Sequence, residues 1–190
     1  MKFAAALAVA VAFSLAAPLA ASAAAWDVGP AVGATVPPLH ATDLKGAPVS
    51  VKDLSGKNGV VLIFFRSAKW CPYCQKQLMD MKDAPAALAQ RGYRLAAVSY
   101  DPTDVLAGFT EKRGIPYPLL SDTGSVTIDA WKLRDMRYKP DSFAWGVPYA
   151  SIYVISPKGV LQAKLAEEDY KVRPELSVLL ATIDGLSPKR

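Results

Sequence analysis

Two closely spaced cysteines are the residues of this chain best suited to chemistry. Cys71 and Cys74 are the only cysteines among its 190 residues, and they lie in the run Trp-Cys-Pro-Tyr-Cys at positions 70–74. At this spacing on a helix the two α-carbons are about 5–6 Å apart, which suits a disulfide. A disulfide that closes so short a loop constrains little of the unfolded chain, so the spacing favours redox chemistry over a structural cross-link.

The two cysteines are predicted to have different roles. A strand leads into the motif and a helix follows it, which places Cys71 at the helix N-terminus, where backbone N–H groups and the helix dipole favour a thiolate. Arg66 and Lys69 add positive charge nearby. Cys71 is therefore the predicted nucleophile. Cys74, one turn further into the helix and expected to be more buried, is the predicted resolving cysteine.

Other uses of the cysteine pair have little support in the sequence. A zinc site commonly takes four cysteine or histidine ligands, whereas this chain has two cysteines and a single histidine, His40. His40 has no motif around it, so a cysteine–histidine nucleophile pair is not favoured either. We expect no metal and no bound cofactor. A role as two inert core residues stays open, although the tryptophan–proline setting at a strand-to-helix turn argues against it.

The elements that must position the cysteines alternate between strands and helices. The apolar run Gly59 to Phe65 predicts a strand buried on both faces, directly before the motif. A helix is predicted from near Pro72 to Gly92, with Pro85 kinking or dividing it. Further strands are predicted at 93–99, 117–120, 150–155 and 160–166, and further helices at 101–113, 125–132 and 174–184.

The order of these elements predicts the fold class. The strand–helix–strand start predicts parallel pairing, and the short link between the last two strands predicts an antiparallel hairpin. The expected fold is therefore α/β, with a mixed central sheet flanked by helices. Asp101 is the predicted cap of the helix that starts beside it. The stretch 132–145 is predicted to be the longest irregular loop, packed back on the domain, and a partner-docking role for its aromatic and basic side chains is the alternative.

The N-terminal residues are predicted to be a secretory signal peptide. Residues 1–23 combine a lysine near the start, an apolar alanine-rich run and small residues suited to a signal peptidase. The run is short for a membrane anchor, so no stable membrane insertion is expected after cleavage. Residues 24–190 are predicted to form a single domain in the periplasm, where disulfides persist. The 22 lysines and arginines and the 17 aspartates and glutamates are scattered, which argues against nucleic-acid binding.

Several short motifs accompany the cysteine pair. They comprise Gly33 with Pro37, Asp43-Leu44 with Gly46, Asp53-Leu54 with Gly56-Lys57, Phe65-Arg66, Gln77-Leu78, Val98 to Asp101, Phe109 and Leu119 to Asp122. Together, between about Gly33 and Ala166, they resemble the thioredoxin superfamily and its peroxiredoxin-like branch, the alkyl hydroperoxide reductase and thiol-specific antioxidant family. The resemblance implies a thioredoxin-like fold and antioxidant, peroxidase-type activity. It also implies a peroxide substrate and an external thiol reductant.

Departures from the family pattern keep other functions open. Peroxiredoxins usually carry a proline seven residues and a threonine or serine three residues before the peroxidatic cysteine. This chain has Phe64 and Ala68 there, with Ser67 as the nearest hydroxyl. Thioredoxin-like reductases carry a cis-proline opposite the cysteines, and Pro148 lies two residues before that position. The alternatives are a disulfide oxidoreductase that reduces protein disulfides and, from another class, a non-catalytic redoxin domain that binds a partner.

The predicted site residues combine the motif with the resemblance. The predicted catalytic residues are Cys71, Cys74 and Arg66. The predicted substrate-binding residues are Trp70, Pro72, Tyr73 and Pro148. The cysteine pair is expected to cycle between a dithiol and a disulfide, with a peroxide or a protein disulfide as the oxidising substrate.

Overall fold

The chain forms a five-stranded sheet with helices packed against it. The computed structural model describes residues 26–186, so the predicted signal peptide lies outside the described residues. The strands are β1 (Gly59–Phe64), β2 (Tyr93–Ser99), β3 (Leu119–Ser121), β4 (Ser151–Ile155) and β5 (Leu161–Ala166). The helices are α1 (Val51–Leu54), α2 (Pro72–Asp80), α3 (Ala84–Ala89), α4 (Thr103–Arg113), α5 (Val126–Ala130) and α6 (Leu176–Leu186).

The sheet is mixed, with β1 at its centre. The strand order is β3-β2-β1-β4-β5. β1 runs parallel to β2 and antiparallel to β4, so that Leu62 lies opposite Ala96 on one side and Tyr153 on the other. β4 and β5 pair antiparallel, which confirms the predicted hairpin. The predicted α/β class with a mixed central sheet is confirmed as well.

Both faces of β1 are covered, and this explains its unbroken apolar sequence. All six of its residues are buried. Side chains alternate across a strand, so Val61 and Ile63 join one core cluster while Leu62 and Phe64 join the other. The first cluster also contains both cysteines. The strand that leads to the motif is therefore held from both sides.

The predicted helix from Pro72 to Gly92 is divided in two. α2 ends at Asp80, a 3₁₀ turn follows at Met81–Asp83, and α3 then begins at Ala84. Pro85 lies in the first turn of α3, where a backbone N–H has no helical partner to lose. Gly92 ends this helical region with a φ of 76°, a left-handed conformation that glycine adopts without steric cost.

Asp101 is not the cap of α4, so that prediction is wrong. α4 begins at Thr103 with Pro102 as its N-cap, and no side-chain hydrogen bond caps the helix. The Asp101 carboxylate accepts hydrogen bonds near the cysteine motif instead. β3 also begins later than predicted, at Leu119, because Pro118 before it has no N–H to donate to a sheet.

The sequence predicts no stable insertion in a membrane once the signal peptide is removed. Within residues 26–186, every helix is too short or too polar to cross a bilayer.

Candidate active site

The cysteine motif lies at the junction of β1 and α2. β1 ends at Phe64, and Cys71 is the N-cap of α2, with Pro72 in the first helical turn. The backbone N–H of Cys74 donates to Cys71 Sγ over 3.2 Å. The sulfur thus accepts one of the N–H groups that a helix N-terminus leaves without a backbone partner. This geometry favours negative charge on Cys71 when the pair is reduced.

Cys71 and Cys74 form a disulfide, with their α-carbons 5.2 Å apart. This separation agrees with the helical spacing expected from the sequence. Cys71 is 1% exposed and Cys74 is fully buried. The expected difference in burial is therefore almost absent in the disulfide form, because the surrounding side chains enclose both sulfurs.

Arg66 lies beneath a cluster of aromatic rings rather than in solvent. Its side chain is buried, and its guanidinium carbon lies 5.3 Å from the ring centroid of Trp70, 5.1 Å from that of Tyr138 and 4.2 Å from that of Tyr170. Its Nη2 donates to the Tyr138 hydroxyl, while its Nε has no partner. Cation–π contacts stabilise a desolvated guanidinium without neutralising it. Arg66 therefore keeps positive charge within the site.

Arg173 is a second cation at the site, half-buried, and sequence reasoning missed it. Its Nη2 lies 3.8 Å from Cys74 Sγ, and its Nη1 donates to the carbonyl of Val172. Burial and then repulsion by Arg66 lower the pKa of Arg173 to about 10, so it remains charged at neutral pH. Arg173 lies in an irregular segment before α6, with no motif or periodicity that signals a link to the cysteines.

A buried carboxylate shapes the loop between β1 and the motif. Asp101 accepts hydrogen bonds from the Ala68 N–H at 2.6 Å, the Ser67 hydroxyl at 2.8 Å and the Ser99 hydroxyl at 3.1 Å. Burial raises the pKa of Asp101 in spite of these donors. Ser67 Oγ also accepts from the N–H of Lys69 at 2.9 Å. The hydroxyl closest to the family's usual position is thus engaged in holding the loop.

The motif's aromatic residues lie at the edge of the enclosed disulfide. Trp70 donates from Nε1 to the Tyr100 hydroxyl at 3.0 Å, and its ring meets Phe143 edge-on with centroids 5.2 Å apart. Tyr73 is 38% exposed and contacts the ring of Tyr170. Pro72 is exposed between them. Their predicted role in substrate binding stays a prediction, and so do the catalytic roles of Cys71, Cys74 and Arg66.

Pro148 lies shortly before β4 and follows a trans peptide bond. It forms an isolated backbone bridge with Arg134 and lies before the start of β4 at Ser151. All peptide bonds across residues 26–186 are trans. Pro148 thus leads the chain into β4, and its contact with substrate stays a prediction.

A groove of about 570 Å³ lies between α2 and the segment that leads into α6. Its walls comprise Tyr73, Lys76, Gln77, Asp80 and Met81 on one side, and Lys171 together with residues 173–177 on the other. Arg173 connects this groove with Cys74. Among residues 26–186, no cluster of three histidine, cysteine or acidic side chains is arranged to hold a metal ion.

Comparison with known families gives a match over most of the chain. The sequence model of the AhpC/TSA family matches residues 32–164. The chloroplastic peroxiredoxin Q of Sedum lineare is 29% identical over 130 residues, which are 68% of this chain and 66% of that protein. The thiol-disulfide oxidoreductase ResA of Bacillus anthracis is 31% identical over 113 residues, or 59% of this chain. The match spans 62% of ResA, so both relatives are matched over just under two thirds of their own length.

Solved structures agree with the fold. The crystal structure of peroxidoxin BcpB from Mycobacterium tuberculosis has a TM-score of 0.68 and 23% sequence identity, covering 85% of this chain and 99% of that one. A peroxiredoxin-like protein from Aquifex aeolicus also has a TM-score of 0.68, at 17% identity, and covers 84% of this chain and 91% of that one. The predicted thioredoxin-like fold is therefore confirmed.

Proposed function

The chain belongs to the AhpC/TSA family of thiol oxidoreductases, and on this premise we propose that it is an exported peroxidase that uses Cys71 and Cys74 as a redox pair. One observation carries the proposal. Cys71 is a helix N-cap, the buried Arg66 packs on the ring of the preceding residue Trp70, and the half-buried Arg173 contacts Cys74. The helix N-terminus and the positive charge of Arg66 favour a thiolate at Cys71, which is the form of cysteine that attacks a peroxide.

The proposed reaction begins at Cys71. Its thiolate attacks one oxygen of the peroxide, the O–O bond breaks, and the leaving oxygen takes up a proton and departs as water or an alcohol. Cys71 becomes a sulfenic acid. The sulfur of Cys74 then attacks the Cys71 sulfur, the S–S bond forms, and the sulfenic oxygen leaves as water. An external thiol reductant supplies two electrons and two protons to restore the dithiol.

The arrangement of α2 supports this sequence of steps. In the disulfide form the α-carbons of Cys71 and Cys74 are at 5.2 Å while the helix is intact from Pro72 onward. The attack of Cys74 on the oxidised Cys71 therefore needs no unwinding of the helix. Arg66, held against three aromatic rings, contributes positive charge where the thiolate reacts. Residues 1–23 support export, since their composition is that of a signal peptide.

A second candidate function is the reduction of protein disulfides. It is favoured by the two-cysteine motif at a helix start and by the similarity to ResA, which is named a thiol-disulfide oxidoreductase. In this reaction Cys71 attacks a sulfur of the substrate, and Cys74 then attacks Cys71 and releases the reduced substrate. The trans geometry before Pro148 separates this site from reductases with a cis-proline.

The variant Cys74→Ser distinguishes the two functions. As a peroxidase it should accumulate sulfenic and then sulfinic Cys71 at low peroxide concentration. As a reductase it should accumulate mixed disulfides with exported proteins. The measurement is mass spectrometry of the variant after peroxide treatment and after capture from cells, with Cys71→Ser as the matched control that should form neither adduct. The mass of the captured protein also tests export, because it shows whether residues 1–23 are removed.

Turnover of the unchanged protein completes the test. Peroxide consumption with a thiol reductant and reduction of insulin disulfides are compared on protein lacking residues 1–23. Fast peroxide consumption with slow insulin reduction supports the proposal, whereas the reverse favours the second candidate. If neither assay shows activity and Cys74→Ser forms no adduct, both enzymatic functions are contradicted. A non-catalytic redoxin domain that binds a partner is then the function supported.

A further inference from the structure

Arg173 is a half-buried cation that forms no ion pair with an acidic side chain of residues 26–186. Its Nη2 lies 3.8 Å from Cys74 Sγ, and its Nε has no hydrogen-bond partner. Across residues 26–186, the ion pairs between basic and acidic side chains involve neither Arg173 nor Arg66. A charge that is partly removed from water and has no counterion is costly to the fold. In the disulfide form the sulfur beside Arg173 is neutral, so the expected counterion is missing in this redox state.

The charged groups around Arg173 leave a surplus of positive charge. Arg66 repels it, while Asp169 in its own segment is the carboxylate that attracts it. The other ionisable side chains along the adjoining groove are Tyr73, Lys76, Asp80, Lys171 and Glu175. Lys76 and Asp80 pair with each other in solvent. The atom best placed to offset the charge of Arg173 is therefore the sulfur that its Nη2 already contacts.

We propose that Arg173 binds the thiolate of Cys74 in the reduced protein, so that reduction of the disulfide creates the counterion that this arginine lacks. The external thiol reductant supplies two electrons and two protons, the S–S bond breaks to give the dithiol, and Cys74 then releases its proton to solvent and becomes a thiolate beside Arg173. A hydrogen bond from a guanidinium to an anion is charge-assisted and stronger than one to a neutral sulfur. Stabilising the reduced form makes a disulfide more oxidising.

The two sulfurs then have separate sources of stabilisation. Cys71 Sγ accepts from the backbone N–H of Cys74 at the helix start, whereas Cys74 Sγ is contacted by Arg173. Arg173 also lies outside residues 32–164, the segment matched by the family model. This contact is therefore a feature of the chain's C-terminal segment. It adds a residue that touches a reacting atom to those that the motif supplies.

The reduction potential tests this inference. The fraction of disulfide is measured by thiol trapping after equilibration with glutathione buffers of different ratios. We expect Arg173→Met to favour the disulfide about tenfold, which corresponds to a potential lower by about 30 mV for two electrons. Arg173→Lys should show a smaller change, because it keeps the charge on a shorter head group. Lys171→Met is the matched control, and its potential should equal that of the unchanged protein.

A thiol titration separates this role from a structural one. In the background Cys71→Ser, the ultraviolet absorbance of the Cys74 thiolate is followed against pH, and Arg173→Met should raise the pKa of Cys74 by about one unit, which corresponds to tenfold in ionisation. If the role of Arg173 were only structural, its replacement would change thermal stability and leave the pKa of Cys74 unchanged. If Arg173→Met does not fold, Arg173→Gln replaces it in both measurements.

The outcomes are distinct from those of the proposed function, on whose dithiol–disulfide cycle this inference rests. Equal potentials and equal Cys74 titrations for the unchanged protein and the Arg173 variant overturn the role of Arg173 alone. A cysteine pair that exchanges with no glutathione buffer contradicts the cycle itself.

Discussion

The two faces of the central strand β1 differ in what they bury. On one face Phe64 packs against Trp131 and Tyr153, with ring centroids 5.0 and 5.6 Å apart. On the other face Ile63 belongs to the cluster that contains Cys71 and Cys74. Both faces exclude water, since all these side chains are buried. The aromatic face therefore supplies rigidity, and the cysteine face combines packing with chemistry.

Each face also contains N–H groups without a partner, but the two kinds differ in charge. Trp131 Nε1 on the aromatic face has no hydrogen-bond partner, and neither have Arg66 Nε and Arg173 Nε near the cysteines. The indole N–H is neutral, so its cost of desolvation is limited to about 1–3 kcal/mol. The guanidinium groups are charged and favour an anion beside them. An unpartnered donor is thus a cost to stability on the aromatic face, whereas on the cysteine face we propose that these charged groups stabilise a thiolate.

The largest effect on stability is expected at the centre of the aromatic face. Trp131→Ala removes a fully buried ring and leaves a cavity, so the free energy of unfolding should fall by about 3–5 kcal/mol. The potential of the cysteine pair should stay the same, because the opposite face of the sheet is unchanged. Urea unfolding and glutathione equilibration measure the two quantities. Met136→Ala, at a side chain 68% exposed, should change stability by less than about 0.5 kcal/mol.

An unchanged potential in Trp131→Ala would support the division between the two faces of β1. A large shift in potential on Trp131→Ala, at a pH and temperature where the variant is folded, would show that the aromatic face tunes the cysteines and that the division between the faces is wrong.

A smaller effect is expected where buried polar groups hold the motif. Asp101→Asn replaces one carboxylate oxygen by an NH2 group that cannot accept, so one of the hydrogen bonds from the Ala68 N–H and the Ser67 hydroxyl is lost and stability should fall by about 1–3 kcal/mol. Burial raises the folded-state pKa of Asp101 above its usual value of 3.8. In the unchanged protein, Asp101 therefore contributes fully to the free energy of unfolding below pH 3.8. Part of this contribution is lost as the pH rises through the folded-state pKa.

The Asp101 variant lacks this titration, so its deficit in stability should shrink as the pH rises. Chemical unfolding at a series of pH values from acid to neutral measures the difference between the two proteins. Asp104→Asn, an exposed aspartate at the start of α4, is the matched control and should show no such trend. A deficit that grows with pH would contradict the raised pKa of Asp101.

The smallest of these effects concerns charge at the cysteine face. Arg66→Met keeps an apolar stem beside the aromatic rings but removes the cation, and the reaction of Cys71 with peroxide at neutral pH should slow by about tenfold, as for one unit of thiol pKa. Stopped-flow kinetics with excess peroxide measures the rate. Lys69→Met removes an exposed charge two residues before Cys71 and should change the rate less than twofold. Equal rates for Arg66→Met and the unchanged protein would assign Arg66 to packing alone.

Much of the scaffold could be predicted from local patterns in the sequence. The run Gly59 to Phe65 is apolar because both faces of β1 are covered, so its burial was readable without a partner strand. The strand–motif–helix order likewise placed Cys71 at a helix start, as its N-cap geometry confirms. The short turn before β5 indicated the hairpin with β4. These features depend on residues close together in the chain, where periodicity and turn chemistry apply.

The surroundings of the disulfide could not be predicted in the same way. Tyr138 reaches Arg66 across 72 positions, and Arg173 reaches Cys74 across 99. Asp101 faces Ser67 and Ala68 instead of capping the helix beside it. Tyr138 and Arg173 lie in irregular segments with no periodic signal, and Asp101 had a local role available that the fold did not use.

By itself the sequence determined a thioredoxin-like scaffold and a cysteine pair at a helix start. Only the tertiary structure decided which charges face each sulfur. The physical reason is that strands and helices arise from local hydrophobic periodicity, whereas the position of a buried arginine depends on how distant irregular segments pack over the sheet. Arg173 is the residue in which this difference matters most, because its contact with Cys74 arises only when the C-terminal segment is folded over α2.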